Sequence, residues 1–369
     1  MARQISTRDL TPGMRLGRAL YDEHGHVLLQ RGVELRGSYI KRVQERFAVV
    51  MIDDDGYEDI SVEDTVPGEL RNEMQVSLLK EWTRIAQDAN FEKITLSKDF
   101  ARSLRDQVRN LLTIAKDTKV IQEDLSSLAS YDNSTYVHSV NVAIYALLIG
   151  DALKLPESML MELGIGALLH DIGKLWIPVD ILQKPAVLTD AEMALMRSHA
   201  AVGHDVLSRQ GELSYLVAHC AFQHHERLDG SGYPRALAGN DIHQFGKILA
   251  VADIYDSMVM HRPYRAGISP SAVMEYLFSK ADTELDLQLV AWFSQRVAMY
   301  PVGAEVTLST RQTAVVSHIT PSLPARPVVR IIRDPDGQRV PPYDLDLSTS
   351  LNVTITGTTS GITVLDIID

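Results

Sequence analysis

His170-Asp171-Ile172-Gly173-Lys174 follows an apolar stretch with Leu160, Leu163, Ala167 and Leu168 at helical spacing. It is answered downstream by His224-His225-Glu226-Arg227-Leu228-Asp229-Gly230-Ser231-Gly232-Tyr233-Pro234. Both stretches set imidazoles and carboxylates beside glycines, and these are the ligand types that first-row transition metals take in hydrolytic sites. Around them, Val140, Ala143, Ile144 and Leu147 mark one further apolar helix face, and Leu249, Ala250, Ile254 and Met258 mark another. No period-two alternation interrupts this region, so residues 128–300 are predicted to form an all-α helical bundle.

The candidate ligands are His138, His170 with Asp171, His199, His224 with His225, and Asp253. Successive groups lie about 25 to 32 residues apart, one helix plus a loop each time. One group per helix can therefore converge inside a bundle, as in other helical dimetal proteins. Neutral imidazoles bind Fe, Mn, Zn, Ni or Co without adding charge, and a carboxylate can bridge two ions; Asp171 is the expected bridge. Nine of the 12 histidines fall in this region, but His204, His219, His243 and His261, like the distant His318, lie outside the pattern and are expected to be surface or structural residues.

The flanks differ in texture. Residues 1–66 mix short apolar runs with turn signals around a helical stretch from Gly37 to Arg46, which predicts a small α+β module; His24 and His26 there are expected to be solvated. Residues 67–127 repeat Leu70, Met74, Leu78, Trp82 and Ile85, then Leu104, Val108, Leu111 and Ala115, at helical steps and predict a helical connector. Packing on the next domain and pairing into a homodimer both remain open for it. Residues 301–369 carry runs rich in Val, Ile and Thr at 304–308, 313–319, 327–333, 352–357 and 362–368, and predict a small β-rich module.

At 369 residues the chain exceeds one ordinary domain, and 45% hydrophobic with 23% charged residues is a globular composition. The net charge of −12 argues against a nucleic-acid polymer as partner, though a small phosphorylated ligand beside metal ions is still allowed. Without an apolar run of about 20 residues or a signal-peptide core, no membrane partner and a cytoplasmic location are the expectation. The lone Cys220 excludes an internal disulfide and reads as a small buried helix residue.

The segment from Tyr131 to Met299 resembles the HD-GYP family of metal-dependent phosphohydrolases. The match runs in order through His138-Ser139, His170-Asp171-Ile172-Gly173-Lys174, His199, His224-His225-Glu226, Asp229-Gly230-Ser231-Gly232-Tyr233-Pro234, Ala252-Asp253-Ile254-Tyr255-Asp256 and Arg262-Pro263-Tyr264-Arg265. The resemblance implies an HD fold and metal-dependent hydrolysis of cyclic di-GMP by a metal-bridging hydroxide, giving linear pGpG, with GMP as a further product left open. It also implies a first ion on His138, His170, Asp171 and Asp253, and a second on Asp171, His199, His224 and His225. The ions would be iron or manganese, with Zn, Ni or Co also compatible. Ser134 stands where some members carry a glutamate ligand, which speaks against a third ion. Arg262 and Arg265 would hold the substrate phosphates, with Lys174, Gly232 and Tyr233 lining the substrate site and Lys174 also meeting a phosphate oxygen or protonating the leaving group. Glu226, Asp229 and Asp256 would orient histidines or arginines. Two alternatives stay open: a cyclic di-GMP-binding adaptor with little turnover that signals through partner proteins, and a phosphohydrolase of another nucleotide.

Overall fold

The computed structural model describes residues 2–21, 27–47, 49–53, 65–87, 94–122, 134–184, 186–260 and 267–358. The chain begins with strands β1 (Ala2–Ser6), β2 (Arg15–Leu16), β3 (Leu20–Tyr21) and β4 (Val27–Leu29), helix α1 (Gly37–Arg46) and strand β5 (Val49–Asp53). β5 lies between β1 and β2 in an antiparallel sheet, and β3 pairs with β4. Ile40 and Val43 of α1 join Ile5, Leu16, Leu35, Val50 and Ile52 in a core separate from the rest. His24 and His26 lie outside the described residues.

Helices α2 (Gly68–Ala86) and α3 (Lys98–Asp117) form the connector. Met74, Leu78, Trp82, Leu104, Val108 and Leu112 from them enter the same core as Val140, Leu147 and Leu163 of the bundle. Polar bonds fix the seam. Glu81 accepts from the Ser97 backbone N–H (2.7 Å) and hydroxyl (3.1 Å) at the start of α3, while Gln210 accepts from Leu96 N–H (2.8 Å) and donates to Ile94 C=O (3.0 Å).

The bundle comprises α4 (Ser134–Ala152), α5 (Glu157–Leu169), a short α6 (Val179–Leu182), α7 (Asp190–Ser208), α8 (Tyr215–Gln223), α9 (Gln244–Val259), α10 (Pro270–Lys280) and α11 (Leu287–Ser294). α4 is buried around its whole circumference from Val137 to Ile149, which explains why its apolar residues show so little one-sidedness; a helix apolar all round belongs in the middle. Starts are set by side chains. Thr189 and Glu192 form a reciprocal capping box on α7, and Ser214, Ser269 and Asp286 cap α8, α10 and α11.

Cys220 is fully buried on α8, and burial pushes its thiol pKa up. Its reaction with a disulfide reagent is expected to be at least ~10³-fold slower in native protein than in denaturant, because the thiol is reached only through an opening of the core. Rapid labelling of folded protein, read by absorbance, would contradict this packing.

The C-terminal sheet is antiparallel in the order β10-β6-β7-β8-β9, with β6 (Glu305–Leu308), β7 (Thr313–His318), β8 (Val328–Arg333), β9 (Arg339–Asp346) and β10 (Ile355–Thr358). Val306, Leu308, Ala314, Val316, Val329 and Ile331 make its core. β9 was not among the expected strands, because Pro341 and Pro342 interrupt its pattern. It is an exposed edge strand, where missing N–H donors are tolerated. The apolar run 362–368 lies outside the described residues. Among the described residues, no helix is long and apolar enough to cross a membrane.

Candidate metal centre

Five helices deliver the predicted ligands to one point. His138 is in the first half of α4, His170 and Asp171 follow the last turn of α5, His199 is in the middle of α7, His224 and His225 follow α8, and Asp253 is on α9. Asp171 is 1% exposed, and its two oxygens face different groups. Oδ2 lies 3.4 Å from His170 Nε2 and 3.7 Å from His138 Nε2; Oδ1 lies 3.4 Å from His199 Nε2 and 3.8 Å from His224 Nε2. His138, His170 and Asp171 form one set with metal-ligand spacing, and His199, His224 and His225 form another. Asp253 also spans the centre, with Oδ1 3.0 Å from His138 Nε2 and Oδ2 3.7 Å from His225 Nδ1, a wider reach than the single-ion role expected of it.

Ring orientation is fixed from behind. His170 Nδ1 donates to Ala167 C=O (2.7 Å), His199 Nδ1 to Met196 C=O (2.7 Å) and His224 Nδ1 to Cys220 C=O (3.1 Å). The acceptors for His170 and His224 come from the final turns of α5 and α8, where carbonyls lack helical partners. Each bond places the proton on Nδ1 and leaves the Nε2 lone pair facing inward. Burial lowers the pKa of His170, His199, His224 and His225, keeping these rings neutral. His138 differs. Burial opposes its charge, but hydrogen bonds to Asp253 and Asp256 outweigh that and raise it to about 9. Burial also opposes charge on Asp171, yet Lys174 and the surrounding histidines hold its carboxyl well below the usual range.

The donor set fits divalent metal. His170 Nε2 and Asp171 Oδ1 are buried without a hydrogen-bond partner among the described residues. Converging lone pairs left unpaired in a protein interior are costly, and a cation relieves that cost.

The remaining predicted residues are divided. Lys174, in the 3-10 turn Ile172–Trp176, pairs with Asp171 Oδ2. Tyr233 stacks on His225 (4.6 Å between centroids, 28° between planes) and carries the Arg197 guanidinium 5.2 Å over its ring. Gly232 is needed for close approach: a Cβ there would lie 2.5 Å from Arg227 N, Glu226 Cα and His225 O. Asp256 bonds His138, as expected of it. Among the described residues, the hydrogen bonds of Glu226 and Asp229 run to loop groups: Glu226 accepts from Arg235 N–H (2.8 Å) and Leu237 N–H (2.9 Å), and Asp229 from Ser231 N–H (2.9 Å) and its hydroxyl (2.7 Å). A glycine-rich loop leaves many backbone N–H groups without helix partners, and these nearby carboxylates take them. Arg262 and Arg265 lie outside the described residues. His204, His219 and His243 sit away from the ligand sets; His204 stacks on Phe222 at 4.4 Å.

Residues 118–289 match the family model described as HD domain, and residues 305–364 match the KOW domain associated with HD domain. A cyclic di-GMP phosphodiesterase of Pseudomonas aeruginosa is 38% identical over 192 residues, covering 52% of this chain and 46% of that one. A cyclic di-GMP phosphodiesterase of Thermotoga maritima is 42% identical over 147 residues, covering 39% and 40%. A 3′3′-cGAMP-specific phosphodiesterase of Vibrio cholerae is 35% identical over 164 residues, covering 44% and 35%. The matched region spans less than half the length of each of these relatives. The helical core with its buried His/Asp centre is an HD domain. Over this region the chain is similar to cyclic dinucleotide phosphodiesterases.

Proposed function

We propose that this chain is a metal-dependent phosphodiesterase that hydrolyses cyclic di-GMP to linear pGpG at a dinuclear centre of iron or manganese. The observation that carries this reading is Asp171, a buried carboxylate with one oxygen toward His138 and His170 and the other toward His199 and His224. His138, His170, Asp171 and Asp253 would hold one ion, and Asp171, His199, His224 and His225 the other. When bound, such ions supply a water acidic enough to ionise near neutral pH and polarise the phosphoryl oxygens.

The chain's own groups do the rest. Lys174 is partly exposed while bonded to Asp171, so its ammonium can exchange that carboxylate for a substrate phosphate oxygen or give a proton to the leaving 3′ oxygen. Tyr233 is held against His225 and offers its ring to a base at the edge of the centre. Arg262 and Arg265 follow the helix that carries Asp253 and would clamp phosphates through paired N–H donors. Relatives named for cyclic di-GMP and for 3′3′-cGAMP lie at similar identity, so the second dinucleotide is the competitor to measure.

Protein reconstituted anaerobically with Fe(II) or Mn(II) is expected to convert cyclic di-GMP to pGpG, followed by chromatography, with a larger kcat/KM than for 3′3′-cGAMP. Faster turnover of 3′3′-cGAMP would reassign the substrate. Nucleotide binding without turnover, at two confirmed ions per chain, would make the domain an adaptor instead.

A further inference from the structure

Arg71 lies in the first turn of connector helix α2 and is 7% exposed. Its Nη1 donates to Asn141 Oδ1 at 2.8 Å, Asn141 Nδ2 donates to Asp256 Oδ1 at 2.9 Å, and Asp256 Oδ2 accepts from His138 Nδ1 at 2.5 Å. All four side chains are buried, and the chain of bonds ends on a ring whose Nε2 faces Asp253 and Asp171.

We propose that Arg71 is a positioning residue of the metal centre, acting through Asn141 and Asp256 to set the orientation of His138. This rests on the metal reading given above. An asparagine amide has two orientations, which exchange its oxygen and nitrogen. In one, the NH₂ group meets the Asp256 carboxylate; in the other, the amide oxygen meets it, acceptor against acceptor. A guanidinium has only donors, so Arg71 accepts only the first orientation. With Asn141 so fixed, Asp256 Oδ1 is satisfied and Oδ2 is left for His138. That bond keeps the His138 proton at Nδ1 and aims Nε2 into the centre. Burying a guanidinium is expensive, and an apolar side chain would fill the same space at less cost, so its presence calls for a task such as this one. α2 is thereby part of the metal centre as well as a packing element.

The test is an anaerobic Mn(II) titration of the full chain, with free Mn(II) followed by electron paramagnetic resonance and folding checked by circular dichroism. Wild type is expected to bind two ions. Arg71→Met and Asn141→Ala should each weaken one ion about 10- to 100-fold, the usual effect of removing a partner behind a ligand, and leave the other within about twofold. The double variant should lose no more than the worse single variant, because both changes break one chain of bonds. Arg71→Lys, which keeps a donor, should recover most of the affinity. Should Arg71→Met fail to fold, Arg71→Lys and Asn141→Ala carry the comparison, and stronger binding by Asn141→Ala than by Arg71→Lys would overturn the proposal. Unchanged affinities in the variants beside two ions in wild type, additive losses, or equal weakening of both ions would also overturn it. A wild type that binds no Mn(II) would instead remove the metal reading on which it stands.

Discussion

Asp171→Asn is expected to lower dinucleotide hydrolysis by roughly 10³-fold or more and to cut the bound ions from two to one or none. The amide keeps the shape of the carboxylate but replaces one oxygen by an NH₂ group, which is not a metal ligand at neutral pH. Whichever way it turns, one of the two histidine groups then faces two N–H donors at the 3.4 to 3.8 Å now spanned by a carboxylate oxygen. The charge change acts in the same direction. His170, His199, His224 and His225 are held neutral by burial, so Asp171 and Asp253 supply the negative charge that the ligand sets contribute. Lys174 also loses its carboxylate partner. Metal analysis of the purified variant beside a product assay checks this. Wild-type turnover with Asp171→Asn, and equally with His170→Ala, would sink the dinuclear reading.

The convergence of the candidate ligands was legible because each depends on a local pattern: an imidazole or carboxylate on or just after an apolar helix, once per helix. Long-range pairing was less so. Glu226 and Asp229 looked like partners for histidines or arginines, but a loop's free N–H groups compete for carboxylates, and the loop's path is not written in residue types. β9 was hidden by Pro341-Pro342, since only its edge position, a property of the assembled sheet, makes two prolines harmless. Arg71 and Asn141 are the instructive case. Asn141 stands between Val140 and Val142 in an apolar run, and a polar residue in such a run is the signal that a buried partner exists. The identity of that partner, 70 residues away on the connector, required the packing of α2 against α4.

Gly173→Ala tests how the packing of the turn after α5 against α7 sets the candidate metal centre. A Cβ at Gly173 would lie 2.0 Å from His199 C=O and 2.7 Å from Gly203 N–H, both backbone atoms of α7, so no side chain can swing aside to relieve the clash. The expected destabilisation is about 3 kcal/mol or more, at or above the upper end for overpacking, because a helix must move as a unit. For a domain of this size that is a fall in Tm of roughly 6 to 12 °C. Gly211→Ala, where an added Cβ meets nothing within 4 Å, is expected to stay within about 0.5 kcal/mol of wild type and separates crowding from any general effect of losing a glycine. The clash also has a chemical consequence. Gly173 lies two residues beyond Asp171, and the backbone atom it would strike belongs to His199, whose Nε2 is 3.4 Å from Asp171 Oδ1. Pushing α7 outward therefore lengthens a ligand-to-ligand distance as well as weakening the fold. Gly173→Ala should thus bind the ion on the His199 side more weakly even at temperatures where it is fully folded. A variant that melts with wild type, or one that is destabilised yet binds both ions with unchanged affinity, would show that α7 is not held by this contact.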